Sequence, residues 1–293
     1  MLNKGQGAIE YLLIIAAAIL VVAIVILAVT GALEGGQEQT SQGITNQVSA
    51  VNQLKESSGR YFFLNNRYYL KSSSIGESIS VVWEFNQNSV DLSGSGFDLD
   101  EGNATEVDGL WGTKAYSFNG SSEWLGRRDT SLVEEKSEFT ISIWFKPNVI
   151  QDGMLFSEGV PDVIFNVFVL SNNGIKVGMW NKDNSVANWE YAYSEINLIK
   201  VGEWHNVVFS IKDGAAGMGD CKMYLNGILL TTTGDCQMVH HPTAGQYIAV
   251  GNNVGSVFGS QGPNYFNGII EEVIVWDKAL TEDEVKELWD NIQ

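Results

Sequence analysis

The sequence predicts a mainly β protein: a long N-terminal apolar α-helix, then an antiparallel β-sandwich of the jelly-roll kind, then a short C-terminal helix. Of its 293 residues, 31 are glycine and only 4 are proline, and aromatic residues make up 11%. From about residue 80 onward, short apolar runs alternate with turn residues at close spacing, which is typical of a sandwich. Two Asn-Gly pairs, Asn173-Gly174 and Asn226-Gly227, favour tight hairpins between such runs.

The charge of the chain excludes one class of partner. The formal net charge is −18. A nucleic-acid interface needs clustered lysine and arginine, so we expect no nucleic-acid partner. The same charge disfavours docking on anionic lipid, and we interpret it as a surface that keeps the protein soluble.

The N-terminal helix follows from an uninterrupted apolar segment. Residues Tyr11 to Val29 contain no charged side chain. As a helix they would extend roughly 28 Å, enough to cross the hydrocarbon core of a bilayer. The segment is longer than the apolar part of an ordinary secretory signal peptide. We therefore predict a hydrophobic helix over residues 6–30.

Glu10 stands at the head of this apolar segment, where a carboxylate is costly without a partner. Cleavage between Gly5 and Gln6 would create an α-amino group four residues before Glu10, on the same helical face. That amine would neutralise Glu10 in its own chain or in a neighbouring one. Cyclisation of the new N-terminal glutamine would remove this charge, and Glu10 would then need another partner.

Residues Gly5-Gln6-Gly7-Ala8-Ile9-Glu10-Tyr11-Leu12 resemble the archaeal class III signal peptide of type IV pilin-like proteins. The resemblance implies that a prepilin peptidase removes residues 1–5 from a precursor inserted in the cytoplasmic membrane. It also implies that helix 6–30 then bundles with those of other pilin-like subunits in a filament core. A plain membrane anchor with a chance glutamate remains the alternative.

Residues 31–79 are expected to join the helix to the large domain. Glycines between Gly31 and Gly43 predict a flexible joint, and apolar residues at helical spacing then predict a second helical piece. The aromatic segments Arg60–Leu64 and Arg67–Leu70 flank Asn65-Asn66, which predicts a short hairpin.

Residues 80–293 are predicted to form the sandwich, and five segments in order carry a family resemblance. They are Lys114–Trp124, Phe139–Pro147, Gly202–Val208, Met223–Gly227 and Tyr265–Trp276. Together they resemble the laminin-G-like, concanavalin A-like jelly roll. That family implies two packed antiparallel sheets, often used for carbohydrate or protein adhesion. Thr281 and Glu284 form a capping box that predicts the short C-terminal helix.

The sequence favours binding over catalysis. Glycoside hydrolysis needs two carboxylates that flank the scissile bond, and the predicted strands lack a convincing pair. Glu271 and Glu272 are adjacent, so strand alternation would send them to opposite faces. The chain also lacks a Gly-x-Ser-x-Gly nucleophile motif. We expect the protein not to be an enzyme.

One segment has the composition of a glycan site, in which aromatic faces lie beside amides and carboxylates. The predicted ligand-binding residues are Trp180, Asn181, Asp183, Trp189 and Tyr191. The ligand would be a glycan or a surface protein. Packing of these aromatic residues within the domain is the alternative interpretation.

No cofactor is certain from the sequence, and calcium is a candidate. The acidic turn Asp98–Asn103 places oxygen ligands close together, although the glutamate of an EF-hand loop is replaced by Gly109. A solvated acidic turn is the alternative. The metal ligands cannot be assigned from these residues.

Export would give meaning to two further features. Cys221 and Cys236 are the only cysteines and would form one disulfide, worth about 3 kcal/mol in the chain-entropy model. Asn103 and Asn119 each begin an Asn-x-Ser/Thr tripeptide, the acceptor pattern for N-glycosylation.

These features predict a cell-surface protein, a subunit of an extracellular type IV pilus-like filament that displays a lectin-like head for adhesion. Two alternatives stay open: a membrane-anchored binding protein that does not polymerise, and a surface glycosidase.

Overall fold

The computed structural model describes residues 61–64, 67–70, 74–85, 88–128, 130–133, 136–159, 165–183, 186–212, 220–234, 247–253 and 264–292. The predicted helix 6–30, the Gly5–Gln6 junction, Glu10 and Cys236 lie outside these residues. Within the described ranges, no helix combines the length and the apolar character that a membrane span requires.

The described chain is built almost entirely of strands. In chain order they are β1 (Tyr61–Leu64), β2 (Arg67–Leu70), β3 (Ile79–Trp83), β4 (Glu101–Gly102), β5 (Thr105–Asp108), β6 (Lys114–Asn119), β7 (Leu125–Arg128), β8 (Glu138–Pro147), β9 (Gly153–Glu158), β10 (Phe165–Val169), β11 (Ile175–Asp183), β12 (Val186–Ser194), β13 (His205–Lys212), β14 (Asp220–Leu225), β15 (Ile228–Leu229), β16 (Thr232–Thr233), β17 (Tyr247–Val250) and β18 (Asn267–Trp276). The helices are α1 (Ser74–Glu77), between β2 and β3, and α2 (Glu282–Ile292), after β18.

Two large antiparallel sheets form the body, as the sequence predicts. Sheet I has the strand order β16-β12-β11-β10-β9-β17-β7-β4. Sheet II has the order β15-β14-β13-β8-β18-β6-β5, and β3 also pairs with β18. Strands β1 and β2 form a separate two-stranded sheet. The mainly β sandwich with a short C-terminal helix is therefore confirmed.

The main core lies between the two sheets and is rich in phenylalanine. Phe139 and Phe209 come from sheet II and Phe165 from sheet I, and all three are buried. The ring centres of Phe139 and Phe165 lie 5.1 Å apart in an edge-to-face arrangement. Each such side chain contributes about 1.5–3 kcal/mol by burial. Apolar alternation along the strands thus places one face of each sheet against the other.

A second apolar cluster lies on the outer face of sheet II, beneath α2. It includes Val208, Tyr224, Ile274 and Trp276 from the strands and Val285 and Leu288 from the helix. The capping box is confirmed, because the Thr281 hydroxyl accepts the N–H of Glu284 and the Glu284 carboxylate accepts the N–H of Thr281. A helix that starts directly after β18 folds back over its own sheet.

A tryptophan stack fixes the C-terminal end of α2. Trp289 stacks on Trp144 with ring centres 5.7 Å apart and an angle of 10° between planes. Trp111 packs edge-to-face against Trp144, with ring centres 5.0 Å apart. A Cβ added to Gly227 would lie 2.4 Å from the Trp289 ring, so the turn packs directly on the indole. Trp144 is thus buried on the outer face of sheet II and not in the main core.

Strand β18 is irregular at the two adjacent glutamates that the sequence predicts on opposite faces. A β-bulge lies between Ile270 and Glu272, where β18 pairs with β8. Strict alternation fails at a bulge, so adjacent residues there need not separate into a buried and a solvated position. Glu271 and Glu272 are both buried.

Candidate functional site

The outer face of sheet I carries a row of small and polar residues that crosses six strands. Register pairs connect Gly126 to Ala249, Ala249 to Ser157, Ser157 to Asn166, Asn166 to Gly178, and Gly178 to Tyr191. The residues next to this row along their strands, such as Phe156, Val167 and Val177, lie in the main core. The row therefore faces away from the core.

Asn166 is the polar centre of this row. Its side chain is 3% exposed, and its Oδ1 has no hydrogen-bond partner among the described residues. An unsatisfied buried amide oxygen costs about 1–3 kcal/mol. Glycine at position 178 makes room for it, because a Cβ there would lie 2.6 Å from Asn166 Oδ1 and 2.9 Å from Tyr191 Cε1. The missing side chain lets an amide and an aromatic ring meet across β11.

The adjacent row places a cation among aromatic rings. Phe168 pairs with Lys176, and Lys176 pairs with Tyr193. The Lys176 Nζ lies 4.1 Å from the centre of the Phe168 ring and 4.8 Å from that of Tyr191. The Tyr191 and Tyr193 ring centres are 5.8 Å apart. We call Asn166, Phe168, Lys176, Tyr191 and Tyr193 the sheet I cluster.

Electrostatics at the cluster follow from partial burial. Burial lowers the pKa of Lys176 from its ordinary value, and the nearby Asp152 carboxylate acts in the opposite direction. Burial raises the pKa of the Tyr191 hydroxyl. The site thus presents an amide oxygen, a partly desolvated ammonium and two phenol rings. Groups of these kinds are suited to polar ligands that also have apolar faces.

The structure divides the predicted ligand-binding residues. Trp180 pairs with Trp189 two positions along from the Gly178–Tyr191 pair, so these positions fall on the same face as the sheet I cluster. Asn181 pairs with Asn188, and Asp183 pairs with Val186. Positions 181 and 183 therefore fall on the opposite face of the sheet from the sheet I cluster. The side chains of residues 180–190 lie outside the description. Their role as ligand contacts stays a prediction.

Sequence reasoning missed Asn166, Phe168, Lys176 and Tyr193. The period-2 alternation of β11 offered a signal, because Lys176, Gly178 and Trp180 occupy every second position of that strand. No such signal relates Asn166 or Phe168 to them. Those residues lie on β10, and the sequence gives no register between the two strands.

The acidic turn at Asp98–Asn103 already has partners within the protein. Asp98 Oδ1 accepts the N–H of Asp91 at 2.8 Å, and Glu101 pairs with Arg128 at 2.5 Å. The Arg127 guanidinium donates to the carbonyl oxygens of Gly96 and Asp98. The described residues contain no group of three or more acidic, histidine or cysteine side chains placed to hold a metal. Calcium binding stays an expectation from the sequence.

Two buried carboxylates accept hydrogen bonds from the backbone of neighbouring loops. Glu271 accepts the N–H of Leu110 at 2.7 Å and the Thr113 hydroxyl, and burial raises its pKa. Glu158 accepts the N–H of Leu132 at 2.9 Å and that of Val133 at 3.2 Å. Both carboxylates therefore serve as acceptors for backbone groups, which orders the loops.

Comparison with known proteins identifies two family matches along the chain. Residues 119–286 match a family model described as the concanavalin A-like lectin/glucanases superfamily, and residues 3–28 match the class III signal peptide. A human relative, adhesion G-protein coupled receptor D1, is 28% identical over 172 residues, which are 55% of this chain and 18% of the receptor. The chain thus spans less than a fifth of the length of that relative.

Solved structures share the fold. Domain 4 of AbnA, an extracellular arabinanase from Geobacillus stearothermophilus solved with arabinotriose, is 22% identical, with a TM-score of 0.50 over 72% of this chain and 98% of that domain. The binding domain of botulinum neurotoxin DC, solved with rat synaptotagmin II, is 15% identical, with a TM-score of 0.54 over 75% of this chain and 53% of that one. At these identities the likeness concerns the fold alone. Because the family model spans more than half of the sequence, the chain belongs to the concanavalin A-like lectin/glucanase superfamily, and it carries a class III signal peptide at its N-terminus.

Proposed function

We propose that the protein is a pilin-like cell-surface subunit whose jelly roll binds glycans through the sheet I cluster. The observation that carries the proposal is the placement of the Lys176 ammonium close to both the Phe168 and Tyr191 rings. On the same face lies Asn166, whose Oδ1 has no hydrogen-bond partner among the described residues. A polypeptide or lipid ligand would not need this combination of one buried acceptor, one cation and clustered aromatic rings.

Each group has a role that fits a sugar ring. The C–H face of a pyranose or furanose packs on Tyr191 and Tyr193, whose rings lie on one face of β12. A sugar hydroxyl donates to Asn166 Oδ1, and the Lys176 ammonium donates to a ring or hydroxyl oxygen. Burial of the Asn166 oxygen then becomes favourable, because the ligand supplies the missing donor.

The face offers room for more than one sugar unit. Positions 180 and 189 continue the same face of the β11–β12 hairpin beyond Tyr191. Tryptophan at both positions would extend the aromatic surface along the hairpin. Arabinotriose, the ligand in the arabinanase domain structure, is a reasonable first probe of a linear trisaccharide.

The N-terminal segment supports the surface location and the proposed assembly. A class III signal peptide implies processing by a prepilin peptidase, here before Gln6. We propose that the freed amine neutralises Glu10 of its own or a neighbouring subunit, and that the apolar helices then bundle in a filament. The jelly roll would be displayed outward.

A binding role is preferred to a catalytic one. Support comes from Glu158 and Glu271, whose carboxylates are engaged with backbone N–H groups of loops. General acid–base work on a glycosidic bond requires a pair of carboxyl groups that reach the substrate. We therefore propose that the protein recognises glycans without cleaving them.

The assembly is tested on filaments sheared from the cells that make the protein. Mass spectrometry should find a mature chain that begins at Gln6, and immunogold labelling should mark filament shafts or tips. A chain that begins at Met1 or near Leu33 would contradict the processing. Label confined to the bare envelope would favour a membrane-anchored binder that does not polymerise. A Glu10→Ala variant that enters filaments normally would refute the charge-pair argument.

A further inference from the structure

The two N-glycosylation tripeptides lie in different structural settings, although the sequence treats them alike. Asn119 ends β6 and pairs with Asn267 of β18. Asn103 follows β4 directly, at the turn that leads into β5. Both asparagines are exposed, so exposure alone does not separate them.

Asn119 is locked in a dense turn. Its Oδ1 accepts the N–H groups of Ser121 and Ser122, both at 2.9 Å, and the Ser121 hydroxyl at 3.0 Å. Its Nδ2 donates to the Ser122 hydroxyl at 3.0 Å. Both groups that the acceptor pattern requires, the amide nitrogen and the hydroxyl two residues later, are therefore engaged within the turn.

The side chain of Asn103 is held by its amide oxygen, Oδ1, while its amide nitrogen, Nδ2, is left accessible. Its backbone N–H donates to the Trp124 carbonyl at 2.9 Å, and its Oδ1 accepts the Trp124 N–H at 3.2 Å. Its Nδ2 makes no hydrogen bond to any residue that the structure describes. Thr105, which completes the tripeptide, is exposed. Within the described part of the chain, its hydroxyl makes only a long contact of 3.4 Å, to Glu123. The side chain is oriented without being blocked.

We propose that Asn103 is N-glycosylated and that Asn119 is left unmodified. The donor would be an oligosaccharide linked to a lipid phosphate, and the catalyst a membrane oligosaccharyltransferase on the outer side. Nδ2 forms a bond to the anomeric carbon while the bond from that carbon to the phosphate oxygen breaks. The lipid phosphate leaves with the electron pair, and Nδ2 gives up one proton to a base of the transferase.

The position of Asn103 gives the modification a structural consequence. Strand β4 ends sheet I and β5 ends sheet II, so Asn103 lies between the two terminal strands on one side of the sandwich. Open edge strands are sites of unwanted pairing between crowded copies of a protein, and a bulky hydrophilic chain obstructs such pairing. A glycan here would keep neighbouring heads apart.

The same position leaves the proposed ligand site clear. Between β4 and β11 the sheet I order passes through β7, β17, β9 and β10, so five strand spacings separate Asn103 from the strand of Lys176. At about 4.8 Å per spacing this is roughly 24 Å. The glycosylation proposal requires export and does not depend on glycan binding or filament assembly.

Glycopeptide mass spectrometry of the full chain, purified from the cells that make it, tests the proposal. The peptide with Asn103 should carry an oligosaccharide, and the peptide with Asn119 should have its unmodified mass. Asn103→Gln and Thr105→Ala should each remove the modification, whereas Thr105→Ser and Asn119→Gln should retain it. An unmodified Asn103, a modified Asn119, or retention in Thr105→Ala would overturn the assignment. Circular dichroism confirms that each variant is folded.

Discussion

The Lys176 ammonium lies 4.1 Å from the centre of the Phe168 ring, on the outer face of sheet I. Phe168 is 7% exposed, so the ring is fixed by its surroundings and holds the lysine in place. A cation over an aromatic face in a partly desolvated position gains about 1–2 kcal/mol. The lysine is therefore positioned before any ligand arrives, which reduces the entropic cost of binding.

Replacing Lys176 by methionine should weaken glycan binding at least tenfold and lower the free energy of unfolding by no more than the ~1–2 kcal/mol of the lost cation–π contact. Methionine keeps an unbranched apolar chain against Phe168 and removes the charge. The affinity is measured by isothermal titration on detergent-solubilised full-length protein. Lys200→Met is the control, because Lys200 lies in an exposed loop. Equal affinities for the two variants would exclude Lys176 from the site.

We expect the stability of the protein to depend on pH through His205. The ring is buried, its Nε2 accepts the N–H of Lys200 at 3.1 Å, and burial lowers its pKa below the usual 6.5. As the pH falls below about 6.5, the unfolded chain takes up this proton before the folded one does. The contribution of His205 to the free energy of unfolding should therefore be greatest above that pH. It should decrease below it, by at most about 1.4 kcal/mol per pH unit.

Urea unfolding between pH 7.5 and 5.5 measures this effect. His205→Gln removes the titrating group and should flatten the dependence over this range, because other histidines are retained in both proteins. Parallel curves for the native protein and the variant would show that His205 titrates normally.

Trp289→Ala should destabilise the jelly roll by about 2–3 kcal/mol, because it removes a ring packed between Trp144 and the Gly227 turn. Lys286→Ala, on the exposed side of the same helix, tests helix formation alone and should change stability by less than about 0.5 kcal/mol. Chemical unfolding curves give both values. Similar losses for the two variants would mean that the stack adds nothing beyond the helix itself.

We propose that Cys221, on β14, is paired with Cys236 in the exported protein. Closing this loop with a disulfide should stabilise the folded protein by about 3 kcal/mol. Reduction should therefore lower the urea midpoint of the native protein. The Cys221→Ser/Cys236→Ser variant should be insensitive to reductant. Non-reducing peptide mapping should find the linked pair. Two alkylated thiols in freshly purified protein would refute the pairing.

The fold was predictable because its turns and its alternation are local signals. Asn226 and Gly227 both adopt left-handed backbone angles, with φ of 52° and 74°, and join β14 to β15 as the pair predicts. The Asn173-Gly174 pair also connects two adjacent strands, but Asn173 donates back to the Leu170 carbonyl, so the connection is longer than two residues. Local chemistry gave the position of each turn more reliably than its length.

The candidate site depends on long-range register, which is why only part of it was predictable. Asn166, Phe168 and Lys176 lie on β10 and β11, and a register shift between Val167 and Phe168 offsets β10 against β9. Such a shift comes from the packing of whole strands and leaves no mark in the residues themselves. Tyr191 was identified from composition because it follows two tryptophans on the same hairpin.

Trp144 shows a second feature that the sequence does not predict, namely which face of a strand meets the main core. Its strand has buried positions on both faces, since sheet I covers one and α2 the other. A continuous apolar strand does not reveal which of its faces meets the main core. The stack of Trp144 on Trp289 depends on the packing of α2 against sheet II, which the sequence of β8 alone does not predict.

The most direct test of the account is a binding screen of the full-length protein against a panel of immobilised oligosaccharides, with the Tyr191→Ala variant in parallel. We expect saturable binding to at least one glycan by the native protein and a loss of at least tenfold in affinity for the variant, with an unchanged circular dichroism spectrum. Absence of binding at millimolar glycan, or equal binding by a folded Tyr191→Ala protein, would contradict the assignment of the sheet I cluster as a glycan site.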